Sequence, residues 1–309
     1  NSIAARVSMC KRGEKRMEYT LENEFLTVKV STAGGELHSI KSRDGIEYLW
    51  QGDPDYWADQ APLLFPICGS IREDHAVVGD RKQMHMPRHG IVRKKEFTCD
   101  QQSRYAITLS VTSDDKMLEQ FPYAVRFSVT YALDGHSVKQ TFTVENLESD
   151  ETVPFFVGGH PAFNCPIVNG DAYSDYYVEF EKEETCSVPE TTDRGLLDLQ
   201  KRSPFLDHTR RLPLDYGLFA TSSIAFDELK SRSVRLASDR HRHSVQVDFE
   251  QFPYLLLWTT TNQGPFLAIE PWLGLPTCTD EGDQFEEKRN VQFAAPGEKK
   301  TYSYTITVS

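Results

Sequence analysis

Strict alternation of apolar and polar side chains recurs along this chain from Leu26 onward. A period of two is the spacing of an extended strand whose successive side chains point to opposite faces. Leu26, Val28 and Val30 alternate with Thr27 and Lys29, and Tyr105, Ile107, Leu109 and Val111 alternate with Ala106, Thr108 and Ser110. The same pattern runs through Val125, Phe127, Val129, Tyr131 and Leu133, through Val245, Val247 and Phe249, and through Tyr302, Tyr304, Ile306 and Val308. Each of these strands has one apolar face that must be covered, which for many antiparallel strands means large sheets packed face to face. Asp134-Gly135 precedes the strand carrying Val138, Phe142 and Val144 and predicts a hairpin, since both residues tolerate positive φ. Helical patterning is confined to short pieces. The best is Asp115 to Phe121, capped by Asp114 or Asp115 and ended by Pro122. No βαβ alternation is present, so the expected class is all-β.

Neither a flexible linker, a shift in composition nor an internal repeat divides the 309 residues, which predicts a single domain over residues 17–309. Residues 1–16 are basic and patternless and precede Met17; they read as an N-terminal tail or expression remnant. Arg6, Lys11, Arg12, Lys15 and Arg16 leave a transit peptide as the second reading. Lys and Arg number 34 against 46 Asp and Glu, a net charge of −12, which disfavours binding to nucleic-acid backbone or to an anionic membrane. No apolar run approaches the roughly 18 residues of a membrane helix. The six cysteines form no C-x-x-C pair, which argues against a zinc knuckle or a redox dithiol and fits reduced thiols in the cytoplasm.

Function is expected in the long connections. The stretch from Trp50 to Arg93 is far longer than an ordinary loop, and its Trp50, Trp57 and Phe65 argue for order. It contains Gly69-Ser70-Ile71-Arg72 and Arg88-His89-Gly90. Gly158-Gly159-His160-Pro161-Ala162-Phe163-Asn164 follows the apolar Val153–Val157 segment, so His160 is held at a strand end. In Phe266-Leu267-Ala268-Ile269-Glu270-Pro271-Trp272 an acid ends an apolar strand, where a carboxylate is partly buried. A His and a Glu on rigid strand ends in an aromatic cleft are the parts of general acid and base catalysis near neutrality. Arg72 offers a fixed donor fork for oxygen ligands, and aromatic faces suit the apolar side of a sugar ring.

Taken singly, these residues also have plainer readings. His89 reads as a hydrogen-bonded structural histidine, Arg72 as a salt-bridging arginine, and Trp50, Trp57 and Trp272 as core aromatics. Glu270 alone reads as a strand-end carboxylate, and His160 stands evenly between the two. His75, His85 and His89 lie near one another and His241 and His243 alternate, but no H-E-x-x-H or carboxylate-rich loop accompanies them, so no metal is expected. His241 and His243 look like part of a solvated turn. No G-x-S-x-G elbow exists, and no cysteine has a neighbouring histidine motif.

The four signatures around Arg72, His89, His160 and Glu270, in this order, resemble the aldose 1-epimerase (galactose mutarotase-like) family, and most closely its LacX-like branch. Supporting similarity runs from Asn23 through Ala33-Gly34-Gly35-Glu36-Leu37 and Leu49-Trp50-Gln51-Gly52 to the C-terminal strand. The resemblance implies a β-supersandwich of antiparallel strands. It also implies interconversion of the α and β anomers of a free aldohexose through the open-chain aldehyde, with no cofactor and no metal. A monosaccharide is then the partner, and the chain a monomer or homodimer. Carried over, Glu270 is the base at the anomeric hydroxyl, His160 the acid at the ring oxygen, and Arg72 and His89 hold sugar oxygens. An ionised Glu270 and a protonated His160 would each favour the charge of the other, giving a bell-shaped rate profile around neutrality.

One departure bears on the substrate. Members of the branch tend to carry an aspartate shortly after a Leu-Phe pair, whereas Leu218-Phe219 is followed here by Ala220-Thr221-Ser222-Ser223, so Ser222 stands where the acid is expected. Galactose and glucose are the default sugars; a hexose 6-phosphate gains little support from a net-acidic chain with a lone Arg72 in the motif. The rival from another class is a non-catalytic carbohydrate-binding protein on the same sandwich, which has no need of His160 and Glu270 together. A polysaccharide hydrolase or lyase would want paired carboxylates along a groove.

Overall fold

The alternating segments fold as strands whose inward residues are the apolar set. The computed structural model describes residues 6–9 and 15–309. Of the N-terminal tail, Arg6–Met9 pairs antiparallel with Lys15–Glu22; the remainder, including Cys10, lies outside the described residues. In Val125–Asp134 the odd-numbered residues from Val125 to Tyr131 are buried and the even-numbered ones are not. The Lys299–Val308 strand buries Tyr304, Ile306 and Val308 and leaves Thr305 and Thr307 partly open. Tyr105 lies just outside its strand, which runs Ala106–Thr112, and is half exposed.

These strands belong to a nine-stranded antiparallel sheet. Its order is Leu197–Pro213, Tyr176–Thr191, Ser233–Ser238, Val245–Asp248, Lys299–Val308, Ser137–Asn146, Val125–Asp134, Ala106–Thr112 and Thr98–Gln102. The expected hairpin forms, shifted by one position: Asp134 pairs with Ser137, so the turn is Gly135-His136, with Gly135 at φ 55°. The short helix is Asp115–Gln120, with the Asp114 carboxylate accepting from the Met117 amide at 2.8 Å.

A second, six-stranded sheet carries the site. Ile224–Phe226, Tyr254–Trp258, Phe266–Trp272, Gly158–Gly159 and Leu63–Leu64 lie in that order, and Ala162–Asn164 also pairs with Phe266–Trp272. A four-stranded sheet formed by Arg6–Met9, Lys15–Glu22, Leu26–Ser31 and Leu37–Ser42 flanks the assembly. The core sits between the two large sheets, where Phe65 stacks on Phe127 with ring centres 4.7 Å apart and Phe142 meets Tyr304 at 6.0 Å. Fully burying a side chain such as Phe127 is worth about 1.5–3 kcal/mol.

The long Trp50–Arg93 connection is more regular than its pattern suggests. Besides Leu63–Leu64 it holds a hairpin of His75–Val78 and Lys82–His85, which sets His75 opposite His85 and leaves His89 in a separate place. No helix among the described residues is long and apolar enough to cross a membrane.

Candidate active site

The site is built on the central strand Phe266–Trp272, all seven residues of which are buried. A strand buried on both faces still obeys the period of two. Leu267 and Ile269 enter the main core, whereas Phe266 and Ala268 join a separate cluster with Trp50, Trp57, Ala162 and Trp258. Glu270 follows on that second face. Its cross-strand neighbour is Leu256, and Ala268 faces Trp258, so the carboxylate stands in an apolar wall.

His160 reaches the same place from the neighbouring strand. Gly158 pairs with both Trp272 and Leu64, and Gly159 passes so close to the opposite sheet that a Cβ there would fall on the Tyr304 hydroxyl. Only glycine permits that approach, and it fixes where the next residue starts. His160 Nε2 lies 3.3 Å from Glu270 Oε1, with side-chain exposures of 8% and 2%. The imidazole lies between Trp57 and Trp258, with ring centres 5.0 and 5.6 Å away. Its Nδ1 and the Trp272 indole nitrogen are buried without hydrogen-bond partners among the described residues.

His89 joins them: its ring centre is 5.4 Å from that of His160 and 5.6 Å from that of Trp272. The Gly69 amide donates to His89 Nδ1 at 3.1 Å, and the His89 amide donates to the Gly69 carbonyl at 2.9 Å. With Nδ1 accepting, a neutral ring carries its proton on Nε2 and is a fixed donor. Burial, aided by His160, Arg88 and Arg93, holds its pKa well below 6.5. Its φ of 71° is unusual for a residue with a side chain, and at the next position a Cβ on Gly90 would run into the Phe65 carbonyl.

Arg72 does not join them. It begins a short turn with left-handed backbone at Glu73 (φ 52°), which directs its guanidinium to Asp283 at 2.5 Å and to the carbonyls of Glu281 and Cys278. The expected sugar-holding role of Arg72 is therefore corrected: its donors are taken up by a neighbouring loop, and it is not among the residues lining the cavity.

His160 and Glu270 lie at a cavity of about 950 Å³, also lined by Arg88, Arg93 and Arg194, by the Thr191–Gly195 segment, and by Thr221, Ser222 and Ser223. Sequence reasoning missed Trp258, which ends an unbroken apolar run and resembles any core strand residue. It also missed Thr191–Gly195, whose role depends on a long hairpin between Tyr176–Thr191 and Leu197–Pro213. Ser222 does face the cavity; its hydroxyl donates to the Ser223 carbonyl at 3.1 Å.

The electrostatics differ from mutual support of charges. Burial pushes the His160 imidazolium down to about 3, and burial raises Glu270 well above the ordinary carboxylate range, with Arg88 opposing only part of that rise. Both groups are held toward their neutral forms. The neutral pair, protonated Glu270 beside neutral His160, nevertheless binds as many protons as the ion pair; the two are tautomers. The arrangement can therefore exchange a proton internally, and with anything bound beside it, without uptake from solvent.

A sequence model of the family described as aldose 1-epimerase matches residues 17–292. The plasmid and chromosomal LacX proteins of Lactococcus lactis subsp. lactis are each 47% identical over 297 residues, spanning 94% of this chain and 99% of theirs. A galactose mutarotase related enzyme from Lactobacillus acidophilus superposes with a TM-score of 0.89 at 29% identity, over 95% of this chain and 97% of that one. A galactose mutarotase-like protein from Lactobacillus casei ATCC 334 gives 0.84 at 28% identity, over 94% and 100%. With its antiparallel sheets and the positions of His160 and Glu270 already in view, this chain belongs to the aldose 1-epimerase family.

Proposed function

We propose that the protein is an aldose mutarotase that interconverts the anomers of an aldohexose with a free anomeric centre. The observation that carries this reading is the 3.3 Å contact between His160 Nε2 and Glu270 Oε1 at an aromatic-walled cavity. The anomeric hydroxyl oxygen and the ring oxygen of a pyranose are both bonded to C1. An acid and a base that serve them must therefore converge on nearly one point.

In the forward step Glu270 takes the proton of the anomeric hydroxyl, the bond between C1 and the ring oxygen breaks, and His160 protonates that oxygen. Rotation about C1–C2 presents the other face of the aldehyde, and the two groups reverse roles on closure. The step starts from ionised Glu270 with protonated His160 and ends with both neutral. The burial that disfavours the two charges thus favours the ring-opened complex. A sugar hydroxyl donating to Glu270, together with nearby Arg88, stabilises the ionised tautomer needed at the start. His89 Nε2–H is a donor for a sugar oxygen.

Polarimetry on freshly dissolved α-galactose and α-glucose tests the reading. Catalysed approach to anomeric equilibrium is the expected result, slowed severely in Glu270→Gln and His160→Asn. Wild-type protein that leaves every sugar of a panel at the buffer rate overturns it and makes the cavity a binding site without catalysis.

A further inference from the structure

His160 is enclosed by residues of two different kinds. Trp258 and Glu270 stand on paired strands of the six-stranded sheet, whose register fixes them. Trp57 lies outside any strand. It ends a surface turn in which Asp53 to Tyr56 are exposed, and it is the member that turns inward, half-buried, to line the cavity.

The turn is built to hold that one ring. Gly52, at φ 72°, passes the Ala58 carbonyl so closely that a Cβ would fall 2.9 Å from its oxygen. The amides of Tyr56 and Trp57 both donate to the Asp53 carbonyl, at 3.0 and 2.9 Å. The Trp50 indole donates to the Trp57 carbonyl and the Asn262 side chain to the Asp55 carbonyl, each at 2.9 Å, which anchors the turn at two points. The Trp57 ring stacks on Phe266 with centres 5.6 Å apart, meets Trp258 edge-on at 5.2 Å and stands 5.0 Å from His160. Aromatic pairs at such separations favour one mutual orientation.

We infer that Trp57 is a positioning residue whose indole shuts solvent away from the His160 imidazole, so that the proton shared with Glu270 passes to a bound sugar and not to bulk water. The charges facing His160 do not supply that isolation. An ionised Glu270 at 3.3 Å favours the imidazolium, Arg88 and Arg93 oppose it, and His89 is itself held neutral. Tyr304, against Gly159, is kept un-ionised by burial, and Leu255 to Trp258 carry no titratable side chain. On the turn itself Asp53 and Asp55 are exposed, and Asp59 stands 3.8 Å from Arg93. Exclusion of water outweighs these charges at His160, and Trp57 is the part of the enclosure that no strand holds.

The consequence for rate rests on the mutarotase reading; the consequence for proton affinity does not, and the test reads both. In Glu270→Gln, which removes the coupled titration, the His160 ring signals are followed by NMR and identified by their loss on adding His160→Asn. With Trp57 in place the ring is expected to stay neutral well below the ordinary histidine value, about 6.5. Adding Trp57→Ala is expected to raise its proton affinity at least about tenfold toward that value. Trp57→Phe is expected to raise it less, and His241, beside Asp171, is expected to titrate alike in every variant. In the chain with Glu270 intact, Trp57→Ala is expected to lower kcat more than it raises KM. A His160 that titrates near the ordinary value with Trp57 present, or that Trp57→Ala leaves unchanged, overturns the inference. So does a lowered proton affinity, which would make the indole a cation–π partner of the imidazolium, or a loss of kcat without a change in titration, which would make it a sugar contact. Wild-type protein without mutarotation but with the change in proton affinity overturns the catalytic reading instead.

Discussion

The molecule contains two histidine–carboxylate contacts of similar length and opposite character, one fully buried and one partly open to solvent. His160 and Glu270 are 3.3 Å apart; His241 Nε2 and Asp171 Oδ2 are 2.9 Å apart. Burial opposes the charge of Asp171 as well, but hydrogen bonds from Tyr176 and His241 and the charge of Arg240 outweigh it, and its pKa lies below the ordinary value. The Tyr176 hydroxyl donates to Asp171 at 2.9 Å, and Arg240 Nε stands 3.1 Å away. For Glu270 burial wins: the charge of Arg88 and the Trp272 indole favour its ionised form but do not offset desolvation, and its pKa is raised. The first carboxylate is held toward its ionised form and clamps the segment after Asn164 to the turn at Arg240–Arg242. The second is free to change state beside a cavity. On the proposed reading, what separates a clamp from an acid–base pair is how completely the carboxylate's charge is compensated, rather than the pair itself.

Removing a partner from each pair gives the largest contrast. Glu270→Gln and His160→Asn are expected to lower kcat by about 10² to 10⁴ with the fold retained by circular dichroism, because each deletes one proton-transfer role. Asp171→Asn and His241→Asn are expected to leave kcat near wild type. Equal losses in the two sets would erase the distinction.

A smaller effect comes from moving His160 without changing it. Gly159→Ala forces a methyl group against the Tyr304 hydroxyl, so the strand must shift at the residue that sets the imidazole. Overpacking of this kind costs about 1–3 kcal/mol of stability, and misplacement of a catalytic group by an ångström costs on the order of 10²-fold in rate. Polarimetry and thermal unfolding of the one variant read both. A full-rate Gly159→Ala would mean that the His160–Glu270 geometry tolerates movement.

The pH profile sharpens the same contrast. The working pair holds one proton in either tautomer, so activity is lost only when it gains a second proton or loses its only one. Burial sends the first event down toward about 3, where His160 is placed, and the second upward with Glu270. The profile of kcat/KM against pH is thus expected to be a broad plateau through neutrality, with no acid limb near the ordinary histidine value. An acid limb between pH 6 and 7, about where an unperturbed histidine titrates, would show that solvent reaches His160 and that its burial has no catalytic consequence.

Much of this was legible before any coordinates. Period-two alternation marked the strands of the large sheet, Asp114 and Pro122 bounded the one short helix, and glycines before His160 and an apolar run before Glu270 marked both as rigidly held. What stayed hidden depends on backbone direction and on distant partners. Arg72 sits in a motif beside site residues, yet a left-handed residue after it turns its guanidinium toward Asp283. Gly195 reaches the cavity only because a long hairpin carries it there. His241 looked like part of a solvated turn, but its partner Asp171 is seventy positions away and nothing local in either segment announces the contact.

The smallest expected effect concerns that clamp and is one of stability alone. A carboxylate whose folded pKa is depressed contributes stability that is present above its unfolded pKa, about 3.9 for aspartate, and is lost as pH falls through the lower folded value. Asp171→Asn removes the contribution at every pH. The difference in melting temperature between wild type and variant should therefore be present at about pH 5, where an unfolded aspartate is still ionised, and should close as the solution is made more acid. A difference that instead widened below about pH 5 would mean that Asp171 is protonated in the folded protein, like Glu270, and the two pairs would no longer differ in kind.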